Sequence, residues 1–157
     1  MSKNERIIER HQQLYEMSCP SAAVELVLKL HGKVCGSYRK IQDTHKNKSD
    51  VGYGPFRNRR IGGLYFYERS WDKPFVGLTA VLHKELTEGR FPILSMWSDR
   101  GRLPDGRLVD YYHEWVIIRK VGADFEAVSK HFRKTQRTML SVSLAKSSHT
   151  IVLLYST

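Results

Sequence analysis

Cysteine is scarce in this chain of 157 residues, with Cys19 and Cys35 the two it has. Two cysteines make no disulfide framework, which points to a reducing compartment, read here as the cytoplasm. No apolar run approaches the roughly 20 residues needed to cross a bilayer, so no membrane span is expected. The N-terminal stretch Met1-Ser2-Lys3-Asn4-Glu5-Arg6 is followed by no apolar segment, and no secretory leader is expected either. Glycine-rich phosphate loops are missing, because Gly52-Tyr53-Gly54 lacks the lysine and helix that would follow. No Cys/His cluster has zinc-ligand spacing, and no cofactor is expected. Internal repeats and low-complexity segments are absent. Acid is also in short supply, with 16 Asp and Glu against 26 Lys and Arg and a net charge of +10. Such a field attracts nucleic acid, anionic lipid or an acidic protein partner without saying which.

What the chain does have is enough apolar content, 41%, to bury a core as one domain over residues 1–157. Its most informative stretch is Gln13-Leu14-Tyr15-Glu16-Met17-Ser18-Cys19-Pro20. Pro20 suits the first position of a helix, since its missing N–H has no partner to lose there. Ala22, Ala23, Leu26, Val27 and Leu30 then recur at helical spacing, and Gly32 supplies a stop. A thiol at a helix start lies beside unpaired N–H groups and the positive end of the helix dipole. Both favour the thiolate. The competing reading is a small buried cysteine, and that is the role expected of Cys35.

The spacing from Gln13 to Cys19, followed by a small-residue helix, resembles the papain-like cysteine peptidases, closest to the C39-like family. That resemblance implies that Cys19 is the nucleophile. It also implies that Gln13 and the Cys19 backbone N–H form an oxyanion hole for charge developing in the tetrahedral intermediate. The family usually has glycine where Pro20 stands, and Gln12 competes with Gln13 as donor.

Further along, residues 3–12 read as a short helix or arm, and residues 33–63 lose periodicity. Arg57, Arg59 and Arg60 cluster beside Tyr53 and Phe56, either as an ordinary solvated loop or as a groove cover with aromatics to stack on a base. Leu64–Tyr67 reads as a strand, Thr79–Glu88 as a helix, and Arg90–Trp97 as a buried strand, in an order that also resembles the C39-like family. A charged hairpin connection over Ser98–Arg107 leads to the apolar strand His113–Val121, and three more strands follow, with Thr138–Leu144 the middle one. Helices first and antiparallel strands second predict an α+β domain. The resemblance implies a papain-like form of it, with the cysteine helix packed on the sheet.

A cysteine nucleophile needs a base. Of the seven histidines, His113 is the best candidate because it opens an apolar strand, as the family's histidine does. The family's third residue, an aspartate or asparagine, has no counterpart near Val128-Ser129-Lys130-His131. Ser129 is the nearest polar substitute, and Asp124 comes too early. The implied activity is hydrolysis or acyl transfer at a peptide, isopeptide or glutamine amide carbonyl, on a protein or peptide substrate. The rival reading is a basic nucleic-acid-binding or RNA-acting effector or toxin domain on the same fold. Arg57–Arg60 and Lys130, Arg133, Lys134 and Arg137 support that rival. An inert binding module, with an unreactive Cys19, is the third.

Overall fold

The computed structural model describes residues 1–15, 18–46, 53–97, 101–102, 108–109, 112–131, 134–141 and 147–157. The elements begin with helices α1 (Lys3–Arg10), α2 (Cys19–Leu30) and α3 (Lys40–His45), then strands β1 (Arg59–Ile61) and β2 (Leu64–Asp72). Helix α4 (Leu78–Thr87) and strand β3 (Ile93–Trp97) follow. The chain then runs through the short pair β4 (Gly101–Arg102) and β5 (Leu108–Val109) to β6 (Tyr112–Val121), β7 (Asp124–His131), β8 (Lys134–Leu140) and β9 (His149–Ser156). This is an α+β fold. The expected hairpin connection is seen as the β4–β5 pairing, while residues 103–107 lie outside the described residues. The strand expected over Thr138–Leu144 is β8, which starts earlier; residues 142–146 also lie outside the described residues.

Seven strands form one sheet in the order β1-β2-β9-β3-β6-β7-β8, every neighbour antiparallel. The β1–β2 turn is Gly62-Gly63, both at positive φ (58° and 88°). A turn with two such residues matches the right-handed twist of the strands it joins. A Cβ on Gly62 would also come within 2.9 Å of Leu28 on α2, so the turn seats against that helix.

Side chains alternate across a strand, and here the two faces build two cores. On one face Ile93, Val116, Val128, Leu153 and Tyr155 pack with Val24, Val27 and Leu28 of α2. On the other, Leu94, Ile117, Phe125, Val152 and Leu154 pack with Leu78 and Leu82 of α4. Helix α2 is apolar nearly all round and buried from Pro20 to Lys29, as a helix enclosed on every side must be. Truncating Leu26, at 1% exposure, would cost about 2–5 kcal/mol through lost burial and the cavity left behind.

Three expectations need correction. Residues 33–63 contain a helix, α3, whose first-turn N–H groups at Ile41 and Gln42 are capped by the Glu25 carboxylate at 3.0 and 3.2 Å. Cys35 is exposed, its sulfur 3.4 Å from the Ser37 hydroxyl, and does not pack in the core. Tyr53 and Phe56 are core residues at 6% and 1% exposure and present no stacking surface. Among the described residues no helix is long and apolar enough to cross a membrane.

Candidate active site

Cys19 is the first residue of α2 and Pro20 the second. The segment leading into them is pinned from beneath by the buried amide of Gln42. Its Oε1 accepts from the Leu14 N–H and the Ser18 hydroxyl, both at 2.8 Å. Its Nε2 donates to the Gln12 carbonyl at 3.0 Å and to Glu25 Oε1 at 2.7 Å. Ser18 adds a local clasp, accepting from the Tyr15 N–H at 3.2 Å with the Tyr15 carbonyl 2.9 Å away. All four hydrogen-bonding positions of Gln42 are used on this one scaffold.

The clasp brings Gln13 to the thiol. Gln13 is 2% exposed, and its Nε2 donates to the Tyr15 carbonyl at 2.8 Å. A backbone carbonyl only accepts, which fixes the amide with Oε1 facing the sulfur. Cys19 Sγ then donates to Oε1 at 3.1 Å. Gln12 is exposed and meets the scaffold through its backbone carbonyl, so Gln13 is the glutamine at the cysteine.

The thiol departs from the expected electrostatics. Burial, and then the Glu114 carboxylate, push Cys19 up to about 11. The helix N-terminus does not overcome these two, and the resting sulfur is a protonated thiol at neutral pH.

Glu114 itself is pushed up to about 7 by burial, with the Ser95 hydroxyl 3.4 Å from its Oε1. The cavity beside Cys19 is lined by Ala22, Glu114, Val116, Ser129 and Lys130 among others. Ser129 therefore lies at the site, whereas Asp124 pairs with Val121 at the far end of β6. Tyr53, pushed well above its usual value of 10 by burial and then by Glu114, stands behind the carboxyl. Lys130 is lowered chiefly by burial and donates to Thr135 and to the Glu9 carbonyl.

His113 sits in β6 with its backbone paired to Met96; its side chain lies outside the described residues. No histidine among the described residues lines the cavity at Cys19. Of the others, His11 is buried between Lys29 Nζ and the Ala22 carbonyl, and His31 meets the Tyr155 hydroxyl. His149 pairs with Asp72 at 2.7 Å where β9 meets the end of β2. Among the described residues no group of three or more His, Cys, Asp or Glu is placed to hold a metal ion.

Sequence reasoning missed Glu114, Gln42 and Glu25. Glu114 had a signal, a lone carboxylate inside an apolar strand. Gln42 and Glu25 had none, because their partners are 16 to 30 residues away. No family model, curated protein or solved structure matches the chain.

Proposed function

We propose that the chain is a papain-like, C39-like cysteine enzyme of acyl transfer. The observation that carries this reading is the Gln13 amide held 3.1 Å from Cys19 Sγ at the start of a helix buried against an antiparallel sheet. Cys19 attacks a peptide, isopeptide or glutamine amide carbonyl and forms a thioester as the C–N bond breaks. The thiol proton passes to a base and then to the departing amine. The family likeness points to His113 for that base, while the carboxyl that lines the cavity beside the thiol is Glu114. Water or an acceptor amine then releases the acyl group, giving hydrolysis, deamidation or transamidation.

For the oxyanion, Gln13 must present Nε2 in place of Oε1. That takes a half-turn of the amide, which releases the Tyr15 carbonyl. Together with the Cys19 N–H it then offers two donors to the developing charge. The resting arrangement is a closed one, with the thiol proton occupied and the donor turned away. Substrate binding supplies the exchange partners. The substrate is a protein or peptide, and the chemistry described uses no cofactor.

The nucleic-acid reading draws less support. Arg57 is paired with Glu68, and Arg137 with Glu5, Glu9 and Glu126. Lys130 is buried, and Arg133 and the Lys134 side chain lie outside the described residues. The aromatics beside Arg57 are core.

The test is incubation with a glutamine-containing peptide library, read by mass spectrometry for new termini, Gln-to-Glu conversion and amine incorporation. Products that vanish in Cys19→Ala are expected. Identical product sets from wild type and Cys19→Ala would overturn the proposal.

A further inference from the structure

We infer that Glu114 is the group that takes the Cys19 proton during acyl transfer, an assignment that rests on the functional reading above. Strand geometry comes first. Along β6, Val116 and Ile118 join the α2-side core, and Trp115 and Ile117 join the α4-side core. Glu114 falls in step with Val116 on the α2 side, two residues toward the thiol, and lines the cavity that Cys19 opens into. A carboxyl and a thiol from two different elements thus meet in one cleft.

The surroundings suit a group that carries a proton back and forth. Cys19 faces Glu114 from α2, Ser95 from β3 and Tyr53 from the segment after α3; Lys130 lines the same cavity from β7. The Ser95 hydroxyl lies 3.4 Å from the carboxyl, while Lys130 Nζ is engaged by Thr135 and the Glu9 carbonyl. Burial raises the carboxyl to about 7, where a general base is half ionised at working pH and both accepts and returns a proton readily. The thiol, raised to about 11, is the weaker acid of the two. Proton transfer therefore accompanies C–S bond formation and does not precede it.

In balance, Sγ bonds to the carbonyl carbon, the S–H proton passes to a Glu114 oxygen, and the amine leaves with that proton as the C–N bond breaks. The Gln13 half-turn does two things at once. It frees the S–H from Oε1, and it turns Nε2 toward the oxyanion.

The experiment uses the full chain carrying Cys35→Ser, so that Cys19 is the sole thiol, with Glu114→Gln and Glu114→Asp added. Two probes are read against pH: p-nitrophenyl acetate for acylation and iodoacetamide for thiolate. With Glu114 present, acylation is expected to level off above pH 7 and hold that plateau until the thiol ionises. In Glu114→Gln the plateau is lost and acylation at pH 7.5 falls about tenfold or more. Iodoacetamide labelling of the same variant moves the other way, becoming faster, because a negative charge beside the sulfur is gone. Glu114→Asp keeps a plateau at a reduced rate, which separates loss of the base from loss of the fold.

Acylation that speeds up in Glu114→Gln in step with iodoacetamide labelling would overturn the assignment, leaving Glu114 a charge that only suppresses the thiolate. Superimposable profiles would overturn it as well. A lost plateau without Cys19-dependent products from amide peptides would keep Glu114 as proton acceptor and sink the acyl-transfer reading. Products with an unchanged plateau would do the reverse.

Discussion

Gln42 Nε2 donates to Glu25 Oε1 at 2.7 Å, and this buried contact joins α2, which carries the thiol, to α3, whose Gln42 in turn holds the backbone on either side of Gln13. Glu25 is 0% exposed, and burial pushes its carboxyl up against the lowering effect of Gln42 and Lys29. What offsets that burial is three donors, the two N–H groups that open α3 and the Gln42 amide. The site is therefore built on a polar core, where satisfied partners give rigidity and a missing partner is expensive.

Gln42→Leu should accordingly be among the most damaging substitutions outside the apolar core. It leaves the Leu14 N–H, the Gln12 carbonyl and one Glu25 oxygen without their partner. At about 1–3 kcal/mol for each buried group left unpaired, a loss of about 3–5 kcal/mol is expected in urea unfolding. A loss below about 1 kcal/mol would mean that the segment is held by something other than this amide.

Glu114 sets one pH dependence of stability. Its folded pKa, about 7, is above the ordinary 4.5 because burial disfavours the charge. The folded state is thus favoured below pH 4.5, and this advantage is lost as pH rises through 7. Glu114→Gln should match wild type in acid and exceed it above pH 7, by at most roughly 3 kcal/mol. Thermal melts across pH 4–8 check this; equal melting temperatures at pH 8 would count against a carboxyl shifted by desolvation at this site.

His11 sets the opposite one. Burial, and then the neighbouring Lys29 ammonium, lower it to about 3 from 6.5. Its contribution is present above pH 6.5 and is lost as pH falls through 3. Over pH 4.5–6.5 the two residues oppose each other, and wild-type stability should be nearly flat. His11→Gln should unmask the Glu114 slope and Glu114→Gln the His11 slope, each approaching about 1.4 kcal/mol per pH unit of opposite sign. A common sign in both variants would contradict the pairing.

Much of this fold was legible because its main elements state their period plainly. Helix α2 announces itself through Pro20, the apolar repeat and Gly32, and β6 through the apolar run Trp115–Ile118. Helix α3 did not, because six residues give too little pattern and its cap, Glu25, comes from another helix. At the site, the spacing from Gln13 to Cys19 foretold a real contact. It could not foretell that burial would outweigh the helix dipole at the sulfur, because depth is a tertiary property. Cys35 failed for the same reason in reverse: free cysteine tends to be buried, yet the turn after α2 leaves this thiol exposed.

The central claim is that Cys19 forms an acyl-thioester with help from Gln13. The most direct measurement is intact-protein mass spectrometry with peptide mapping after brief exposure to p-nitrophenyl acetate, comparing wild type, Cys19→Ala and Gln13→Ala. One acetyl group on the Cys19 peptide, slowed about 100-fold in Gln13→Ala, is the expected result. Acetylation confined to the exposed Cys35 and to lysines, with the Cys19 peptide unmodified, would contradict it.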